Sequence, residues 1–173
     1  MDPPNPNLDI SESMVRIDIS SYSSPEFGFS HTGIVVDCNK DSAFIVADAR
    51  AFEGILNDQD TQITISSLNG GVLLHDKYDI QNGLIGIILL SSLKDPDTMN
   101  ALKKIKICVR PLKICEAVYV YEGINRRLTP GNITIISGRQ FSHNCALAAL
   151  AEFGAPVINK DGEMDEPDST IVK

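Results

Sequence analysis

The sequence has no tryptophan, few aromatic residues and no long hydrophobic run. Phe, Trp and Tyr together make up 6% of its 173 residues. The longest apolar stretch, from Leu84 to Leu90, contains a glycine and is far shorter than the ~20 residues that a membrane-spanning helix needs. We therefore expect no transmembrane helix and no contact with a membrane.

Basic residues are also fewer than acidic residues. The chain has 15 Lys and Arg against 23 Asp and Glu, which gives a net charge of −8 at pH 7. The basic residues cluster no further than the pairs Lys103-Lys104 and Arg126-Arg127. Because nucleic-acid binding needs a concentrated positive surface, this composition disfavours a nucleic-acid-binding protein.

The cysteines are few and scattered. Cys38, Cys108, Cys115 and Cys145 form no C-x-x-C pair. Neither a zinc site nor a disulfide framework is therefore indicated, and we expect buried free thiols.

The start of the chain lacks the basic and apolar stretches of a secretory signal. It is rich in proline instead, from Met1 to Asn7. This predicts a disordered leader over residues 1–12 and a cytoplasmic or nuclear protein. The sequence makes no prediction about the oligomeric state.

Short β-type segments, broken by Gly, Asn, Asp and Pro, dominate the rest of the chain and predict an all-β fold. In two stretches, from Asp97 to Leu102 and from Ser142 to Phe153, a helix is the competing prediction, because apolar residues stand near helical spacing. The predicted strands are Met14 to Ser20, Thr32 to Asp37, Ala43 to Asp48, Gln62 to Ser67, Gly71 to His75, Gly83 to Leu90, Ile105 to Val109, Ala117 to Glu122, Gly131 to Ser137 and Ala155 to Asn159.

The segment from Thr32 to Gly54 carries the first of three motif matches. Thr32 to Asp37 has a small residue, a glycine and an aspartate at the strand end, and Ala43 to Gly54 follows after a short turn. This order resembles the chymotrypsin-like serine proteases, in particular their high-temperature-requirement (Deg-type) branch. There the second strand ends in an aliphatic-Thr-Asn/Ser-Ala-His turn, and Arg50 stands in the place of the catalytic histidine.

Two further matches follow in the order of that family. Tyr78 to Ile88 resembles the segment that ends Asp-aliphatic-Ala-aliphatic-aliphatic, with Gly83 in the place of the triad aspartate. Ala151 to Asn159 resembles Gly-Asn/Asp-Ser-Gly-Gly-Pro-aliphatic-aliphatic-Asn, and Lys160 to Glu163 resembles the Asp-Gly hairpin behind it. Phe153 occupies the nucleophile position.

The resemblance covers Met14 to Glu163 and implies two antiparallel β-barrels with the site between them. On this basis residues 13–93 form the first barrel and residues 94–163 a truncated second barrel. Residues 164–173 are predicted to be an acidic tail.

The matched positions lack the chemistry of a serine protease. Arg50 cannot accept a proton, Gly83 has no side chain to orient a base, and Phe153 has no nucleophilic atom. Ala151 and Glu152 also alter the loop that supplies the oxyanion donors in the family. The sequence therefore predicts a non-catalytic trypsin-like protein, a pseudoprotease. We expect no cofactor, no metal, and a peptide or protein segment as the partner in its cleft; a decayed paralogue without a selected partner remains open.

A hydrolase of the same superfamily with an unrecognised nucleophile is the alternative. His143 and Cys145 are two residues apart, so they would share a face only on a strand. His31 is expected to be a solvent-facing turn residue. His75 is expected to be a solvated residue at the end of a strand.

Two charged features have structural interpretations. The oxygen-rich stretch from Asn159 to Glu166 has Gly162 at its fourth position, whereas a calcium loop needs glycine at the sixth, so a hairpin turn is expected. Arg50 is expected to pair with Asp48 or Glu152.

Overall fold

The computed structural model describes residues 9–24, 28–53, 59–81, 83–138, 140–145 and 154–164, without the side chains of residues 76–78 and 81. These ranges contain ten strands, one four-residue helix and two 3-10 turns. The all-β fold class is therefore confirmed. No helix within these ranges is long and apolar enough to cross a membrane.

Six strands close into an antiparallel barrel in the order β1-β2-β3-β6-β5-β4, with β4 pairing back to β1. Apolar residues at alternate positions point inward, and Val15, Ile17, Ile45 and Ile87 have no exposed surface. The strands are β1 (Met14–Ser21), β2 (Gly28–Cys38), β3 (Ser42–Asp48), β4 (Thr61–Ser67), β5 (Val72–Gln81) and β6 (Leu84–Ser91).

The second lobe is an open four-stranded sheet in the described residues, ordered β10-β7-β8-β9. It is consistent with the partial second barrel that the sequence predicts. Val118, Val120 and Ile133 pack on one face of this sheet. The strands are β7 (Ala117–Glu122), β8 (Arg127–Ser137), β9 (Gln140–His143) and β10 (Val157–Ile158).

The other face of this sheet packs against the outside of the barrel. Tyr119 and Ile158 contribute from the sheet and Met14 and Ile34 from the barrel, in one buried cluster that also includes Met164. The two lobes therefore share a core, which fixes their positions relative to each other.

The connection between the lobes contains the helix α1 (Thr98–Ala101), close to where the sequence predicts a helical turn after Asp97. The predicted strand from Ile105 to Val109 is wrong, because only an isolated bridge from Ile107 to Met164 forms there. Its backbone groups bond to different elements: the Ile105 N–H donates to the Val35 carbonyl at 2.8 Å, and the Cys108 N–H to the Met164 carbonyl at 2.6 Å.

Other strand boundaries also differ from the prediction. β5 does not end at His75 but continues to Gln81 through a register shift. Ser142 and His143, expected to begin a helix, belong to β9 instead. Asn144 and Cys145, which follow, are not helical either, and residues 146–153 of that predicted helix lie outside the described residues.

The predicted ends of the chain are described only in part. Residues 1–8 of the predicted leader and residues 165–173 of the predicted tail lie outside the described ranges. Ser11–Ser13 form a 3-10 turn that leads directly into β1.

Candidate functional site

Arg50 lies in the 3-10 turn Ala49–Phe52, which directly follows β3. Asp48, the last residue of β3, accepts a hydrogen bond from the backbone N–H of Arg50 at 2.9 Å and so caps the turn. Phe52, at the other end of the turn, is buried in the barrel core. The turn is therefore held at both ends.

The Arg50 side chain binds the Asp48 carboxylate as a fork. Nε lies 3.0 Å from both Oδ1 and Oδ2, and Nη2 also donates to Oδ2. The Asp48 side chain is only 1% exposed, whereas that of Arg50 is 52% exposed. The hydrogen bonds to Asp48 raise the pKa of Arg50 above its usual value. The predicted pairing of Arg50 with Asp48 is thus confirmed. Glu152, the other predicted partner, lies outside the described residues.

Gly83 lies in the turn between β5 and β6, close to the Arg50 turn. Its carbonyl accepts a hydrogen bond from the Ala49 N–H at 2.9 Å. Its φ is +80°, and a Cβ atom built there would have no neighbour within 4 Å. The structure therefore brings the second matched position beside the first, with open space where a side chain would stand.

Phe153 lies outside the described residues, together with Ala151 and Glu152, but the residue that follows it is described. Gly154 has a φ of +82°, and a Cβ atom there would overlap the carbonyl oxygen of Thr32. It would also lie 3.8 Å from the Asp48 backbone nitrogen. The chain that follows Phe153 thus passes directly against Thr32 of β2, beside the end of β3.

His31 is not a solvent-facing turn residue, so that expectation is wrong. It lies inside β2, which begins at Gly28, and only 9% of its surface is exposed. Burial lowers its pKa, although the charges of Asp48 and Asp18 oppose this shift. A buried histidine with a lowered pKa is neutral at physiological pH.

His75 is not at a strand end either. It lies within β5 and is half-buried, with Nε2 3.1 Å from the Ile63 carbonyl oxygen. The expectation failed because β5 continues past His75.

His143 and Cys145 are close, but the hydrogen bond between them involves the backbone of Cys145 and not its thiol. The Cys145 backbone N–H donates to His143 Nδ1 at 3.1 Å, while the Cys145 thiol donates to the Val118 carbonyl at 3.8 Å. Burial raises the pKa of Cys145 and lowers the pKa of His143. The thiol is therefore directed away from the base and is disfavoured as a thiolate.

All four cysteines are free thiols. Cys108 and Cys145 are buried, but Cys115 is exposed, which contradicts the expectation that all are buried. Cys115 has a φ of 68° in the turn that precedes β7, and this turn holds it at the surface.

The stretch that begins at Asn159 forms a turn. Asn159 Oδ1 accepts hydrogen bonds from the N–H groups of Asp161 at 2.9 Å and Glu163 at 3.0 Å. Asn159 Nδ2 donates to the Glu163 carboxylate at 2.9 Å. Among the described residues, no group of three or more His, Cys, Asp or Glu side chains is placed to hold a metal ion.

Glu122 is a buried carboxyl that sequence reasoning missed. It has no exposed surface, and neither oxygen has a hydrogen-bond partner within the described part of the chain. It lies opposite Arg127 on β8. The strand alternation after Val118 and Val120 was a usable signal, because it places Glu122 on their face of the sheet.

Three solved structures share this fold. An inactive form of Rv3671c from M. tuberculosis H37Rv, with a serine-to-alanine substitution, is 17% identical at a TM-score of 0.60, over 95% of this chain and 84% of that one. Deg5 is 15% identical at a TM-score of 0.61, over 89% and 77%. The active form of the Rv3671c protease is 15% identical at a TM-score of 0.63, over 94% and 75%.

No protein-family model matches the sequence, and no curated protein matches it. The structural likeness is therefore a likeness of fold. The chain has the trypsin-like fold of the high-temperature-requirement (Deg-type) serine proteases, as the resemblance predicted.

Proposed function

We propose that this protein is a pseudoprotease, a non-catalytic trypsin-like protein whose cleft between the lobes binds a peptide or protein segment without cleaving it. The observation that carries the proposal is the Asp48–Arg50 pair, because the sequence resemblance matches Arg50 to the catalytic base. A guanidinium stays protonated at any workable pH, and its hydrogen bonds to Asp48 make the loss of a proton still less favourable.

Gly83, the second matched position, also lacks the chemistry of a catalytic triad. Gly83 offers no carboxylate to orient a base, and its turn faces open space. His31, which lies one residue from the Gly154 contact with Thr32, is buried inside β2. Triad catalysis requires a nucleophile, a base and an orienting group in contact, and the matched residues Arg50 and Gly83 offer neither a base nor an orienting carboxylate.

Binding is supported by the way the site is held. Arg50 is fixed by several hydrogen bonds to a buried carboxylate, and half of its side chain is exposed. A guanidinium has only donor groups, which suit the carbonyl and carboxylate oxygens of a peptide. A side chain that is already immobile loses little entropy on binding, so this arrangement favours recognition.

The alternative, a hydrolase with an unrecognised nucleophile, has its best candidate in Cys145. Its thiol is buried, its pKa is raised, and His143 accepts a backbone hydrogen bond on the nitrogen that faces it. These features oppose activation of the thiol.

Reaction with covalent probes tests the absence of an activated nucleophile. A fluorophosphonate should label no serine in the folded protein. Iodoacetamide should label the exposed Cys115 at the rate of an ordinary thiol, and a Cys115→Ser variant should remove this labelling. Rapid labelling of Cys145, or of any serine, would overturn the proposal in favour of the hydrolase.

A further inference from the structure

An exposed apolar patch lies on the outside of the barrel, at the end of β3 opposite to the Arg50 turn. Phe44 is 40% exposed, Leu90 is 38% exposed and Leu74 is 50% exposed. Phe44 lies directly opposite Ile88, and Leu90 lies directly opposite Leu74. Together they form one continuous surface across strands β3, β6 and β5, which we call the outer patch (Phe44, Leu74, Ile88, Leu90).

The backbone of Gly86 lies under the Phe44 ring of the outer patch. A Cβ atom at this position would lie 2.6 Å from Cζ of Phe44, so the Phe44 ring covers the Gly86 backbone. Any other residue there would displace the ring. The position of Phe44 on the surface therefore depends on this glycine, two residues from Ile88 on the same strand.

The outer patch is continuous with apolar residues of β3 that pack against the second lobe. Val46, two residues after Phe44 on the same face of β3, packs with Val36 against the cluster that joins the two lobes. The second lobe covers Val46 but leaves Phe44 exposed. On the outer face of β3, Val46 is thus partly buried and Phe44 is exposed to solvent.

Acidic residues border the outer patch. Asp37 is exposed directly opposite Phe44, Asp79 is exposed directly opposite Gly86, and Asp41 is exposed beside the start of β3. Lys40, also exposed, is the neighbour of Asp41 in the chain. The chain as a whole carries a net charge of −8.

These charges distinguish between possible occupants. A second copy of the chain would bring two acidic rims together, and like charges across an interface oppose association. A partner with basic residues beside an apolar centre would complement both the apolar surface and the rim. We infer that the outer patch docks a partner protein through an apolar segment flanked by lysine or arginine.

A designed pair of peptides tests this inference. The probe is a fluorescent peptide, Lys-Lys-Ala-Leu-Ala-Leu-Ala-Lys-Lys, and its counterpart has glutamate in place of every lysine. In fluorescence anisotropy at low salt, the lysine peptide should bind at least about tenfold more tightly than the glutamate peptide. The preference should shrink at high salt, because exposed charges are screened.

Matched variants locate the binding. A Leu74→Thr/Leu90→Thr variant keeps every charge and has β-branched residues that suit a strand, and it should bind the lysine peptide about tenfold more weakly. Val109→Thr, at a residue that is 96% exposed outside the patch, should bind as the wild type does. An Asp37→Asn/Asp41→Asn variant leaves the apolar contacts in place and should lose most of the preference for lysine.

Three results would overturn the inference. The first is equal binding of the two peptides, or no binding of either, by the wild type. The second is unchanged binding of the lysine peptide by the Leu74→Thr/Leu90→Thr variant. The third is a wild-type dimer in light scattering that the same variant dissociates, which would assign the outer patch to a second copy of this chain.

Discussion

At the scale of single residues, the pair of Asp48 and Arg50 determines both the chemistry and the local stability of the site. Asp48 is buried and accepts hydrogen bonds from the backbone and the side chain of Arg50. A buried carboxylate is costly unless it is paired. Arg50 therefore has a structural role at the end of β3, where it pairs with the buried carboxylate.

The Arg50→Ala variant should be less stable than the wild type by about 1–3 kcal/mol, because it removes the guanidinium donors from the buried Asp48 carboxylate. Arg16→Ala is the matched control: Arg16 pairs with Asp18 at 2.9 Å, also two residues away, but both side chains are well exposed. Its removal should cost less than about 1 kcal/mol. Urea unfolding measures both, and an equal loss in the two variants would contradict a structural role for Arg50.

Gly154 gives a second residue-scale prediction. Gly154→Ala should lower the free energy of unfolding by more than about 2 kcal/mol, since its Cβ would overlap the Thr32 carbonyl and its φ is strained for alanine. Gly83→Ala has nearly the same φ but open space, so it should cost only about 1 kcal/mol. Chemical denaturation of both variants separates the cost of the steric overlap, present only at Gly154, from the cost of the positive φ, present at both residues. If Gly154→Ala is no worse than Gly83→Ala, the close contact at the end of β3 is not present in solution.

The Asp48 partner of Arg50 could be predicted from the sequence because the two residues are neighbours along the chain. The burial of His31 could not, since it depends on where β2 begins. The unpartnered Glu122 was missed for a different reason. The alternation of β7 was visible, but a carboxyl on the buried face conflicts with the usual cost of burying charge.

At the scale of elements, short β-type segments separated by turn-forming residues were sufficient to predict the six barrel strands approximately. β9 was missed, because Gln140, Ser142 and His143 are polar and its strand character comes from pairing with β8. The stretch from Ile105 to Val109 was misassigned for the opposite reason. It is apolar enough for a strand, but its hydrogen bonds go to separate elements.

The end of β9 gives a prediction about pH. Burial lowers the folded-state pKa of His143 below its unfolded value near 6.5, so the unfolded chain binds more protons around that pH. Protonation would also remove the acceptor of the Cys145 N–H. The free energy of unfolding should therefore fall as the pH falls from about 7.5 to about 5.

The variant His143→Asn should show a smaller loss over the same pH range, because it removes this titration. His31, whose pKa is lowered in the same direction, remains in the variant and keeps part of the slope. Urea titrations at several pH values measure both proteins. Identical slopes would mean that His143 is not buried in the neutral form.

At the scale of the whole molecule, the barrel and the second sheet are joined by the cluster that contains Met14, Ile34, Tyr119 and Ile158. Neither lobe buries these side chains alone. The open edge of the second sheet could not be derived from composition, because it depends on which strands pair in three dimensions.

The shared cluster predicts that both lobes unfold in one transition. Ile158→Ala should cost about 2–5 kcal/mol and lower the melting temperature of the whole molecule, whereas Ile135→Ala, at a residue that is 59% exposed, should have little effect. Far-ultraviolet circular dichroism follows all strands. In a Tyr22→Phe/Tyr78→Phe background, the near-ultraviolet tyrosine signal follows only Tyr119 and Tyr121 in β7. Separate midpoints for the two signals would contradict a common core.

The most direct measurement of the central claim asks whether peptides bind in the cleft and remain intact. The protein is incubated with a library of random decapeptides at neutral pH, bound peptides are recovered and their ends are read by mass spectrometry, with trypsin as the positive control. Hydrogen exchange on the complex shows which amides become protected. We predict intact peptides and protection at residues 48–52 and around Gly83, weakened in Arg50→Ala. Cleaved peptides above the buffer background would show an active protease, and the absence of binding, or protection confined to other surfaces, would contradict a peptide-binding cleft.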